Sequence, residues 1–112
     1  MESILTSIKK FLGPSASYTH FDPDIIMHIN SVFADLWQIG VGPANGFRIE
    51  DDTSLWTDYM PSDDTRFESV KSYMYLRVKI LFDPPLNSAV LAAMQREADK
   101  WEWRLSVAAE TP

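Results

Sequence analysis

A chain of 112 residues with 46% apolar and 23% charged residues has the length and balance of one globular domain, able to bury a modest core without a metal or a disulfide. The absence of cysteine excludes disulfide frameworks, thiolate nucleophiles and cysteine-based zinc sites. A formal charge of −6 and a pI of about 4.7 oppose tight binding to a phosphate backbone, which draws on clustered Lys and Arg that release counterions.

Residues 2–12 place Ile4, Leu5, Ile8, Phe11 and Leu12 at helical spacing, with Lys9 and Lys10 on other faces and Gly13-Pro14 as the stop. The same stretch, opening on Glu2, lacks a signal peptide's basic-then-apolar order, and no segment approaches the roughly 18 apolar residues of a membrane span. A cytoplasmic origin without membrane contact is expected. Ser15–Phe21 reads as a linker of small and polar residues.

A second helix is predicted over residues 23–39, with Asp22 as its N-cap, Pro23 at the first helical position and Gly40 just past its end. Asp24, His28, Ser31, Asp35 and Gln38 form one polar stripe, and Ile25, Ile29, Val32, Phe33 and Leu36 form the apolar side. Asp24 and His28 are one turn apart, which a solvated stripe explains as well as a His-carboxylate pair does.

From residue 40 to 62 the helical pattern stops at Gly42-Pro43, Asn45-Gly46 and Met60-Pro61. Phe47-Arg48-Ile49-Glu50 alternates and Leu55–Tyr59 does so loosely, leaving room for a short β-hairpin across Asp51–Ser54. A connection this long is usually functional or disordered, and with Phe47, Ile49, Leu55, Trp56, Tyr59 and Met60 it is too apolar to be left in water. Its acids Asp51, Asp52, Asp58, Asp63 and Asp64 lack the EF-hand's turn Gly and closing Glu, so solubility and capping explain them better than Mg²⁺ or Ca²⁺.

A third helix is predicted over residues 64–82, ended by Asp83-Pro84-Pro85. Phe67, Val70, Tyr73, Met74, Leu76, Val78, Ile80 and Leu81 cover most of its circumference, which marks the central helix. Arg77 projects into that apolar surface and requires an acid, in its own subunit or in a neighbour. A fourth helix over residues 87–109 carries a seam of Leu91, Met94, Ala98, Trp101, Leu105 and Ala108. Trp103 lies about 200° from Trp101 around this helix, so one indole faces the core and the other faces out. An outward Trp103 together with the aromatic loop around Trp56 has the composition of an interface core. The alternative has the loop folding over the fourth helix and burying both tryptophans within one subunit.

In order along the chain, Asp24-Ile-Ile-Met-His-Ile-Asn30 running into Gly40-Val-Gly-Pro43, Trp56-Thr-Asp-Tyr-Met60, Val78-Lys-Ile-Leu-Phe-Asp-Pro-Pro85 and Trp101-Glu-Trp-Arg-Leu105 resemble the small head-to-tail connector, or adaptor, proteins of siphophages and Gram-positive prophages. The likeness runs from about Ile4 to Ala109 and contains no catalytic signature. It implies a single mainly α domain over residues 1–112, a four-helix bundle with a long loop between its second and third helices. It further implies a homo-oligomeric ring in the virion neck, commonly of twelve copies, beneath the portal protein and above a stopper or tail-completion protein. DNA would pass through the ring without specific binding.

On this reading the protein is structural rather than enzymatic and needs no cofactor or metal. The residues expected at the subunit or portal interface are Phe47, Ile49, Trp56, Tyr59, Arg77, Trp103 and Arg104. Only Glu110-Thr111-Pro112 follow Ala109, so a long portal-gripping tail is not expected. The alternatives are a tail-completion or stopper protein, which would be richer in strands, and a small metal-dependent or regulatory protein.

Overall fold

The computed structural model describes residues 2–13 and 19–110, without the side chain of Glu110. Most of the predicted linker, Ser15 to Tyr18, and the last two residues, 111 and 112, lie outside the described set. Among the described residues five helices follow one another: α1 (Ile4–Leu12), α2 (Asp22–Gln38), the single turn α3 (Trp56–Tyr59), α4 (Phe67–Phe82) and α5 (Ser88–Glu110). The fold is mainly α, as expected from the helical periodicity, and among the described residues there is no strand.

α1 begins where the Ser3 hydroxyl accepts the Thr6 N–H at 3.1 Å and ends at Gly13, whose φ of 97° suits a residue without Cβ. Ile4, Leu5, Ile8 and Leu12 are buried. So is Lys9, contrary to its expected place on a polar face: its ammonium reaches the Asp22 carboxylate at 2.8 Å. Asp22 therefore ties α1 to the start of α2 and makes no side-chain cap. Phe21 stands at the N-cap instead, with Pro23 inside the first turn. The predicted apolar stripe Ile25, Ile29, Val32, Phe33 and Leu36 is the buried face of α2. The helix stops as predicted before Gly40, which has a φ of 85°, and the Val41 N–H turns back to the Leu36 carbonyl at 2.9 Å.

The hairpin suggested for residues 47–59 does not form, because both of its arms find other partners. Ile49 pairs with the side chain of Asn30, whose amide donates to the Ile49 carbonyl at 2.9 Å and accepts its N–H at 2.8 Å. One α2 side chain thus supplies the hydrogen bonds that a neighbouring strand would have given. Asp51 then accepts the Thr53 N–H at 3.0 Å, turning the chain toward α1. There the Ile4 N–H donates to the Ser54 carbonyl at 2.9 Å, and Ser3 and Leu55 form an isolated antiparallel bridge. The second arm winds into α3.

α4 begins at Phe67, three residues later than Asp64. The Asp64 carboxylate accepts the Arg66 N–H at 2.8 Å and its guanidinium at 3.0 Å, which fixes a turn ahead of the helix. The expected stop at Asp83-Pro84-Pro85 holds. Asn87 then caps α5 by accepting the Ala89 and Val90 N–H groups at 2.9 and 3.1 Å.

α4 is the central helix, as its apolar circumference predicted. Tyr73 and Arg77 on one side reach Asp99 and Glu102 of α5. Tyr75 stacks on Phe11 of α1, with ring centroids 5.0 Å apart, and Phe82 meets Phe21 and His28. Tyr73 and Tyr75 are about 200° apart around a helix, so α5 lies on one side of α4 and α1 with α2 on the other. The core fills both seams, with Phe33, Tyr73 and Met74 among its largest fully buried side chains.

Candidate functional site

The aromatic residues of the long loop fold inward. Phe33 of α2 is the hub: its ring lies 5.1 Å from Phe47, 4.7 Å from Tyr59 and 6.3 Å from Trp56, centroid to centroid. Trp56 donates its indole N–H to the Ser7 hydroxyl at 2.9 Å, and Tyr59 donates its phenol to the Val41 carbonyl at 3.2 Å. Burial pushes the Tyr59 phenol well above its ordinary pKa of 10.0. Gly42 is needed beside it, since a Cβ there would meet the Tyr59 hydroxyl at 2.6 Å. Ile49, Trp56 and Tyr59 are buried and Phe47 is half-buried against the same core.

The loop therefore folds back within the subunit, but onto α1, α2 and α4 rather than over the last helix. Trp103 stays outside, 66% exposed. Trp101, about 200° away, is half-buried at the core's edge with the Arg104 guanidinium 5.2 Å from its ring centre. The two tryptophans thus face opposite ways as predicted, although Trp101 seals the core's margin rather than filling it. The fully buried positions of the seam are Ala98 and Leu105, while Ala108 is exposed and Ala109 packs in its place.

Arg77 finds its acids in its own chain. It donates to Asp99 at 2.8 Å and to the Tyr73 hydroxyl at 3.3 Å, with Glu102 at 3.6 Å. Burial raises the Tyr73 phenol's pKa, with Arg77 opposing the rise. Three of the loop acids are likewise engaged locally. Asp51 caps Thr53, Asp58 accepts the Leu55 N–H at 2.8 Å and Asp64 holds Arg66. Among the described residues no three His, Cys, Asp or Glu side chains converge as metal ligands.

Of the residues expected at an interface, Trp103 and Arg104 remain on the surface. They share the outer side of α5 with Arg96, Lys100 and Val107. Sequence reasoning overlooked a second surface, an open groove of about 880 Å³ between α2 and the loop. It is lined by Met27, Ala34, Trp37 and Phe47, with Phe33 and Arg48 also contributing. Met27 and Trp37 are exposed, and the Trp37 indole N–H holds the Ala44 carbonyl at 2.9 Å. The signal was legible: Met27 is about 200° from Ile29, off the core stripe of its helix. A third apolar patch caps the α4–α5 turn, where Leu86 is fully exposed beside the half-exposed Leu81 and Val90.

The helical fold, the charge-paired central arginine and the apolar surface patches suit a protein that works by contact. No helix among the described residues is long and apolar enough to cross a membrane. No curated protein and no solved structure matches the chain significantly. The family model of the phage connector proteins matches residues 4–112, from the first residue of α1 to the end of the sequence, and the chain therefore belongs to the phage connector protein family.

Proposed function

We propose that the protein is the head-to-tail adaptor of a tailed phage or prophage, a subunit of a ring bound beneath the portal through which DNA passes. The observation that carries this reading is the family match over nearly the whole chain, joined to an architecture without strands among the described residues. The latter favours an adaptor over a stopper or tail-completion protein, for which a strand-rich fold is expected. The work of such a subunit is binding, with shape and ring symmetry in place of chemistry. The net charge of −6 fits a channel that passing DNA does not stick to, since few cations are available to replace its counterions. Trp103 and Arg104 supply an anchor of the kind that dominates interfaces, an exposed aromatic beside a guanidinium. The inward-facing aromatic loop serves as the rigid support.

A genetic test is direct. Nonsense mutation of this gene in its phage is expected to leave DNA-filled heads and finished tails unjoined, and adding the purified protein to that lysate should restore infectious particles. Tails that join normally without it would refute the adaptor role.

A further inference from the structure

The last helix turns a basic and aromatic face to solvent. Arg96, Lys100, Trp103, Arg104 and Val107 fall within about 100° of one another around α5, and all are exposed. The three cations recur every four residues, over about 12 Å of helix. Among the described residues neither Arg96 nor Arg104 forms an ion pair. Arg104 lies instead 5.2 Å from the Trp101 ring centre, and Lys100 shares its charge with Glu97 at 3.2 Å. The acids Asp99 and Glu102 of the same helix turn to Arg77. A chain of net charge −6 thus keeps a cationic strip on its surface, with the 66% exposed indole of Trp103 among the cations.

We infer that this face of α5 docks an acidic segment of another protein, one that sets carboxylates around an apolar seat for Trp103. This contact follows from α5 alone, whether or not the chain forms a ring. The sign of the strip selects an anionic partner and steers its approach. Trp103 and Val107 interleave with the cations, so the partner also has to cover apolar surface, which a phosphate backbone does not do. Asp99 and Glu97 edge the strip on either side, with side chains 68% and 45% exposed. Duplex DNA carries one charge per about 1.7 Å of its axis and would press phosphates against both acids. Separate carboxylates on a protein can stand opposite the three cations and leave Asp99 and Glu97 facing water. The apolar patches of a second copy lack such a seat. The groove beside α2 has no acid in its lining and carries Arg48, of the same sign as the strip. At the patch around Leu86 the nearby acid, Asp83, is held by Lys79 at 2.8 Å.

The probe is a helical peptide of about 20 residues, long enough to span the strip, with Glu at every fourth position beside a seam of Leu. It is titrated at low salt into isotope-labelled protein and followed by the amide NMR signals. The same peptide with every Glu replaced by Gln, and a short DNA duplex, are titrated in parallel. Saturable shifts are expected on the outer face of α5 over residues 96–107. Arg96→Glu, Arg104→Glu and Trp103→Ala, each with an unchanged circular dichroism spectrum, should each weaken binding several-fold. Lys10→Glu, on an exposed part of α1, should leave it unchanged. With the unaltered chain, binding should fall several-fold for the Gln peptide, and also at ~1 M salt, where the Debye length is about 3 Å.

Absence of saturable shifts on α5 would overturn the inference. So would equal binding of the Glu and Gln peptides, which would leave the cations without a part in recognition. Tighter binding of the duplex to the same face would make α5 a DNA-facing surface instead. Shifts of the same signals on dilution of the protein alone would make it a contact between copies, and either of these results also overturns the acidic protein partner.

Discussion

At the residue scale, two tryptophans two positions apart separate stability from assembly. Trp103 is 66% exposed and touches no core, so Trp103→Ala should change unfolding free energy by less than about 0.5 kcal/mol while abolishing contact with its partner. Leu105, 1% exposed on the opposite side of the same helix, should cost about 2 to 5 kcal/mol as Leu105→Ala. Trp101→Ala, at the core's margin, is expected between the two. Urea unfolding of the three variants checks the order, and equal losses would contradict the assignment of the two faces.

Tyr59 gives a pH signature on the same scale. Its folded pKa is raised by burial above the unfolded value of 10.0, so above that pH the folded state holds a proton the unfolded state has released. Its contribution is therefore fully present below pH 10.0 and is lost as pH rises through that value toward the folded pKa. The apparent Tm should fall above that point, and less steeply in Tyr59→Phe. An unchanged alkaline limb in that variant would contradict the buried phenol. Tyr73, raised in the same direction, adds to the same limb.

At the scale of the element, the long connection is held by a side chain standing in for a strand. Asn30 gives and takes one hydrogen bond with Ile49, so Asn30→Ala leaves a partly buried N–H and C=O without this partner, at a cost of about 1 to 3 kcal/mol. Proteolysis should then speed up within residues 43–54 before it does in the helices. Uniform protection in the variant would show that the aromatic cluster alone holds the segment.

The helices were legible in the sequence because periodicity, a Gly past the end of α2 and Pro-Pro after α4 are local signals. The connection was not. Its alternation pointed to a hairpin, yet the partner of Ile49 lies 19 residues away at Asn30 and that of Leu55 lies further still, at Ser3, and no local pattern announces such pairings. Lys9 and Asp22 misled for the same reason. Each reads as a surface residue or a cap, and their distant mutual contact of 2.8 Å decides otherwise.

At the scale of the whole molecule, α4 sits between α5 and the α1–α2 pair, and the loop is folded onto the latter. The outward direction of Trp103 could be read from helical spacing. Of the groove, only the α2 wall could be read that way, from Met27; the other wall is the loop, whose path depends on the tertiary contacts of Asn30 and Phe33. The resulting subunit buries its loop aromatics inside and leaves Trp103, Met27 and Trp37 exposed outside.

The measurement that tests the adaptor account most directly is co-sedimentation of the purified protein with portal rings of the same phage, read by mass and electron microscopy. The account predicts a closed ring of the protein on one end of the portal, about one copy per portal subunit, lost with Trp103→Ala. Portal rings that sediment bare, in the presence of excess folded protein, would contradict it.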